Sequence, residues 1–285
     1  MTALRDWLDG LVAGRTLGRG VRAVLDAAVA DPEMCAYASA HAVARTAGVN
    51  PATVVRAAQV VGFGGWPEFA AELRGRYLSS LSADRIYERH REGGDDDGDP
   101  LHRTVHREVR LLRSMLAGTD GGAVRAMAEA VRSARRTIVF ATGTYAAPGM
   151  QLAHVGQMLG LDVTVQNGAA TAMLNSARLM GSGDCFVTFS LWRSSVIVRE
   201  AAAIASGRGA TVVAVVDRHS AVAGLADVVV TVPGDGFGFV PSITCAVAVV
   251  QTVLRVLADA DPVTTRTRLA EIDELWESLG VVEEF

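Results

Sequence analysis

Apolar positions recur along this chain with two different periods, and the change falls near residue 100. Upstream, apolar residues return every three or four positions, which places them on one face of an α-helix. In Leu17–Ala30 the face is Val21, Val24, Leu25 and Ala28, and Asp31-Pro32 ends the run. Val43, Ala44 and Ala47 predict a shorter helix. Gly48 suits the left-handed residue that closes it, and Val49 plugs the corner. Asn50 is then a good N-cap, with Pro51 at the first helical position. Val54, Ala58 and Val61 form the buried face of the helix that follows.

Downstream, a helical stretch from Leu101 to about Leu116 gives way to short β-branched runs. They lie at Thr137–Phe140, Val163–Val165, Phe186–Phe189, Thr211–Val216 and Val228–Val232. Helical segments separate them, near Gln151–Leu159, Ala172–Leu179, Val196–Ala205 and a short Ala221–Leu225, and Ile243–Leu257 follows the last strand. Strands alternating with helices predict βαβ units and a parallel sheet covered on both faces. The expected fold is an all-α helix-turn-helix headpiece followed by a doubly wound α/β domain with a five-stranded parallel sheet. Between them, Glu92–Pro100 packs Gly, Pro and five charges into nine residues, a composition that cannot bury a core and predicts a linker. Its carboxylates are consecutive, and the place of a closing Glu falls near His106, so it is not a calcium loop. The expected divisions are a headpiece at 1–82, linker and connecting helix at 83–119, the α/β domain at 120–262 and a C-terminal helix at 263–285.

Composition narrows the class. Of 285 residues 50% are apolar and 20% charged, which is globular. No run approaches the roughly 18–20 uninterrupted apolar residues of a membrane span. The first residues, MTALRDWLDGLVAGR, mix charges with apolar positions and do not read as a secretory signal. Cys35, Cys185 and Cys245 are too far apart for a zinc site or a disulfide framework, so the expected compartment is the cytoplasm, with no metal and no cofactor. Every basic residue is arginine, and the net charge is -4. It is unevenly spread: residues 1–91 hold 11 arginines against 9 acids, and residues 92–285 hold 16 against 22. Such a balance permits DNA binding at the N-terminal end without demonstrating it.

Two short helices about a glycine-containing turn are the helix-turn-helix unit, whose second helix reads the major groove. The residues projecting outward are Asn50, Ala52, Thr53, Arg56 and Gln59. Asn and Gln can pair with adenine, Arg with guanine, and a Thr or Ala methyl with that of thymine. The same pattern also fits a helical hairpin with solvated polar residues. The segment Leu17 to about Leu78 resembles the N-terminal domain of the RpiR/MurR family of transcriptional regulators. The matching residues are Val43-Ala44, Ala47-Gly48-Val49, Ala52–Arg56 and Gly62-Phe-Gly-Gly-Trp-Pro-Glu-Phe69. Phe63, Trp66 and Phe69 are expected to pack a third helix, from Pro67, on the reading pair. Where the family places an aromatic after the Arg and further basic residues one turn on, this chain has Ala57, Gln59 and Val60. Fewer phosphate contacts imply weaker non-specific binding.

Residues 120–262 resemble the sugar isomerase (SIS) domain of the same family. The landmarks are Ala141–Tyr145, Gly183-Asp184 leading to Ser190, Glu200-Ala-Ala, Gly209–Asp217 and Ser220–Asp227. Ligands of open α/β sheets bind beyond the carboxyl ends of the strands. Thr142, Gly143, Thr144 and Tyr145 form one loop there, and Ser190, Trp192, Arg193, Ser194 and Ser195 belong to the other. Helix-start N–H groups with nearby hydroxyls suit an anion. Ordinary βα connections with capping hydroxyls would look the same. The resemblance implies a bound phosphosugar, but Tyr145 stands in place of a hydroxyl ligand and Trp192-Arg193 in place of Ser-Gly. The implied function is a regulator that binds operator DNA, palindromic and read by a homodimer or homotetramer, under control of a small anionic effector, with no membrane partner. Ile243–Leu257 is an expected contributor to the subunit interface. The alternative is a SIS-fold sugar-phosphate isomerase or lyase, for which Glu200, His154 and His219 are the possible bases.

Overall fold

In the computed structural model of the chain, residues 2–81, 84, 85, 87, 88, 99–192, 195–217, 220–234 and 241–281 are described. Two compact units result, Met1–Asp95 and Asp96–Phe285. Most of the expected linker, residues 92–98, lies outside the described residues, as do Arg193, Ser194 and His219.

The first unit contains helices α1 (Thr2–Val12), α2 (Arg19–Ala30), α3 (Pro32–Tyr37), α4 (Ala40–Ala47), α5 (Pro51–Val60) and α6 (Trp66–Ser80). The periodic positions of α2, Val21, Val24, Leu25 and Ala28, are all buried. They join Val43, Ala44, Val54, Ala58 and Val61 in one core. Phe69 is its aromatic centre: the rings of Trp7, Phe63 and Trp66 lie 5.9, 5.4 and 5.3 Å from it. The Trp66 indole also donates to the Ala38 carbonyl at 3.1 Å. The third helix is thus held against the pair before it, as the aromatic spacing predicts, and it begins at Trp66.

The second unit opens with α7 (Pro100–Gly118) and α8 (Gly121–Ser133). Leu111 of α7 lies in the core of this unit, so the expected connecting helix is part of the domain. Then follow β1 (Arg136–Phe140), a 3-10 turn (Gly143–Tyr145), α9 (Ala146–Met158), β2 (Val163–Gln166), α10 (Ala170–Arg178) and β3 (Asp184–Ser190). The unit is completed by α11 (Val196–Gly207), β4 (Thr211–Val216), a second 3-10 turn (Ala223–Leu225), β5 (Val228–Thr231), α12 (Thr244–Ala260) and α13 (Pro262–Ser278). The strands form one sheet in the order β2-β1-β3-β4-β5. Every pairing is parallel, with Phe140 opposite Thr188 and Ser190 opposite Val216.

Alternation sorts the strand residues onto two faces. Val139, Val187, Phe189, Val213 and Val215 pack with α8, α9 and α12. Ile138, Phe140, Phe186, Val212 and Ala214 pack with α10 and α11. Burial on both faces is why these strands read as continuous apolar runs. The apolar face of α12, including Val249, Val250, Val253 and Leu254, is wholly inside this core. That corrects the expectation for Ile243–Leu257: its apolar side covers the chain's own sheet and is unavailable to a second subunit.

Candidate functional site

In the first unit the turn between α4 and α5 is built as the spacing requires. Gly48 is left-handed at φ 64°. The Gly48 and Val49 amides donate back to the carbonyls of Arg45 and Ala44, at 3.4 and 2.9 Å, satisfying the end of α4. Asn50 caps α5, its side-chain oxygen accepting from the Thr53 amide at 2.8 Å and the Thr53 hydroxyl at 2.9 Å. Among the expected reading residues, Thr53 is half-buried and Ala52, Arg56 and Gln59 are exposed. Val55 is exposed with them, a further member of the outer face. Ala57, the departure from the family's aromatic, is fully buried. It belongs to the packed side of α5.

In the second unit the two predicted loops sit where β1 and β3 end, on either side of the point at which strand order reverses. Such a reversal opens the ligand crevice of doubly wound sheets. Thr142, Gly143 and Thr144 are at least partly exposed, and the 3-10 turn feeds directly into α9. The glycines of α9 set its position. A Cβ on Gly149 would meet Val139 Cγ1 at 2.8 Å, and one on Gly156 would meet Val163 Cγ2 at 3.0 Å. The helix can therefore lie directly on β1 and β2.

Tyr145 ties the loops together, its hydroxyl donating to the Leu191 carbonyl. Burial, and then the Asp217 carboxylate, push that phenol above its ordinary range. Trp192 is left-handed, with φ 63°, a conformation that costs about 1–2 kcal/mol for a residue with a Cβ. Its amide donates to Asp217 Oδ2 at 2.5 Å, and a charge-assisted bond of this kind offsets the strain. Asp217 is buried at the carboxyl end of β4. The sequence reading passed over it, although its position at a strand end was the available signal. Ser190 is buried, and Ser195 starts α11 without capping it.

The other landmarks have structural work. Asp227 accepts from the Val212 amide at 2.8 Å, fastening β5 to β4. Asp184 is fully buried at the opposite end of β3, accepting from Arg135 at 2.8 Å, Arg136 at 3.1 Å and the Gly181 amide at 3.0 Å. Of the possible bases, Glu200 is exposed and paired with Arg199 at 2.9 Å. His154 is exposed and its ring is parallel to that of Trp276, 6.3 Å away.

No family model matches the chain, nor does any curated protein. Solved structures do. The second unit is similar to the sugar isomerase domain of an RpiR transcription factor from Sphaerobacter thermophilus, at 26% identity over 62% of this chain and 99% of that one, with a TM-score of 0.59. The whole chain is similar in fold to the Vibrio vulnificus NanR protein complexed with ManNAc-6P, at 19% identity over 98% of both chains, with a TM-score of 0.60. A protein from E. coli CFT073 shares the fold at 13% identity over 61% of this chain and 95% of its own, with a TM-score of 0.52. A helical unit followed by a SIS domain is the class these features define. Its SIS domain is similar to that of an RpiR transcription factor.

Proposed function

We propose that this protein is a DNA-binding transcription regulator whose SIS domain binds a small anionic effector and thereby controls operator binding. The observation that carries the reading is the presence, in one chain, of an exposed Ala52-Val55-Arg56-Gln59 face on α5 and a SIS-type crevice in a separate unit. Val55 adds a methyl-bearing contact for thymine to the hydrogen-bonding pair Arg56 and Gln59. A single headpiece presents few such contacts, so the protein reads a palindrome as a homodimer or homotetramer. Its work is cytoplasmic. No described helix is long and apolar enough to cross a membrane.

The effector is a sugar phosphate, another carbohydrate derivative or a carboxylate, seated between Thr142–Tyr145 and Ser190–Ser195. N–H groups at the start of α11, which the Ser195 side chain does not cap, favour its anionic group. Tyr145 and Trp192 occupy the loops where smaller residues are usual in the family, so we expect something other than a simple hexose or pentose phosphate. A non-enzymatic role agrees with the placement of Glu200 and His154, whose described partners lie outside the loops. Thermal shift with sugar phosphates, sugar acids and ring-bearing carboxylates, on wild type and Arg193→Ala, tests the site. An anion whose stabilisation disappears with Arg193→Ala supports it. A simple sugar phosphate that binds both forms equally would contradict it.

A further inference from the structure

If the interface does not lie on α12, two other helices of the second unit remain short of cover. Helix α7 is 19 residues long and has one fully buried residue, Leu111. Its remaining apolar residues recur every three or four positions, and much of that stripe is open: Leu101 is 67% exposed, Val105 50% and Leu116 88%. Helix α13 has 17 residues and none is fully buried. One edge of it is held by its own chain, through Trp276 beside His154 and Arg268 on the Leu159 carbonyl. On its outer side Leu275 is 52% exposed, and Leu279 just beyond it is 67% exposed.

The charges beside these stripes are opposite. Helix α7 carries Arg103, Arg107, Arg110 and Arg113 against the single acid Glu108, which is engaged by the Ser242 hydroxyl at 2.6 Å. After Arg268, α13 carries Glu271, Asp273, Glu274 and Glu277 and no base. Packing α7 on α7 would oppose arginines, packing α13 on α13 would oppose acids, and the headpiece is itself net basic. Like charges across an interface are strongly unfavourable, whereas a basic surface on an acidic one selects its partner.

We propose that α7 of one copy packs on α13 of a second copy, and the reciprocal pair closes the dimer about a twofold axis. Such an isologous arrangement needs no third surface and stops at two copies. The two helices run antiparallel: Arg110 and Arg113, exposed beside the stripe, face Glu271 and Glu274 of the other copy, while Val105 and Leu101 cover Leu275 and Leu279. This rests on the oligomeric reading above and supplies its surface.

Sedimentation of the full chain tests it with a charge swap. Arg110→Glu with Arg113→Glu weakens the dimer by about tenfold or more, as does Glu271→Arg with Glu274→Arg, and all four together restore it to within a few-fold of wild type. Circular dichroism confirms that each variant is folded. Restoration by the quadruple variant distinguishes pairing from misfolding. Independently, Val105→Cys with Leu275→Cys gives a disulfide-linked dimer on mild oxidation, and neither alone does. A dimer insensitive to the reversals, or one cross-linked by Val105→Cys alone, overturns the pairing and leaves the dimer standing. A wild type that stays monomeric at micromolar concentration overturns both.

Discussion

Gly149→Ala adds one methyl group where α9 lies on β1, and the structure sets what that costs. The new carbon would sit 2.8 Å from Val139 Cγ1 and 3.9 Å from Phe189 Cε2. Carbon atoms settle about 3.5–4.0 Å apart, so the contact must open by about 0.7–1.2 Å. Val139 is fully buried in a strand paired on both sides. The helix is therefore the part that moves. Overpacking of this kind typically costs about 1–3 kcal/mol, and replacing a helical glycine returns up to about 1 kcal/mol. The expected net loss is up to about 2 kcal/mol in urea unfolding of the full chain. Gly10 in α1 is the control, since a Cβ there meets nothing within 4 Å; Gly10→Ala should stabilise by about 0.5–1 kcal/mol. The displacement also reaches the candidate site, because α9 begins where the Gly143–Tyr145 turn ends. Drawing Tyr145 away from the Leu191 carbonyl loosens the second loop, and hydrogen exchange at the Trp192 amide should quicken. A Gly149→Ala protein as stable as wild type, with unchanged exchange at Trp192, would refute the close-packing account.

Asp184 gives a pH-dependent prediction. Burial works to raise its pKa, but the hydrogen bond from Arg136, the Gly181 amide and the two guanidinium charges outweigh it and hold the carboxyl below its ordinary value. A carboxyl depressed on folding stabilises above its unfolded pKa of about 3.9 and loses that contribution as pH falls through its folded value. Asp184→Asn should therefore lower the melting temperature at pH 7, and the gap from wild type should narrow below pH 4; a gap that widens in acid would contradict this. The three cysteines should resist a thiol reagent at pH 8 in the native protein and react once unfolded. Burial pushes Cys35 and Cys245 up to about 11 and Cys185 up to about 12, leaving little thiolate. Rapid native labelling of any of them would refute the packing around it.

The strands and the paired helices were legible because local spacing encodes them. A strand buried on both faces shows an apolar run, and Gly48, Asn50 and Pro51 each have one strongly preferred place at a helix end. Spacing does not say what an apolar face will meet. Ile243–Leu257 would look the same covering its own sheet or a second copy, and only the fold shows that it covers the sheet. The two candidate loops were legible as strand ends, and the contacts within them were not. Tyr145 meets the Leu191 carbonyl across 46 positions of sequence, and Trp192 meets Asp217 across 25. Neither contact has a local signature. Asp217 resembled an ordinary polar residue closing a strand until its carboxylate was seen to hold a left-handed backbone.

The central claim is that the face of α5 reads DNA. It is tested most directly by titrating the protein against a labelled duplex from upstream of its own gene, at fixed salt and with unrelated DNA as competitor. The account predicts specific binding that Arg56→Ala weakens by about 1–3 kcal/mol per half-site, while the variant's melting curve stays that of wild type. Equal affinity of wild type and Arg56→Ala for that duplex, or no preference for it over unrelated DNA, would contradict the account.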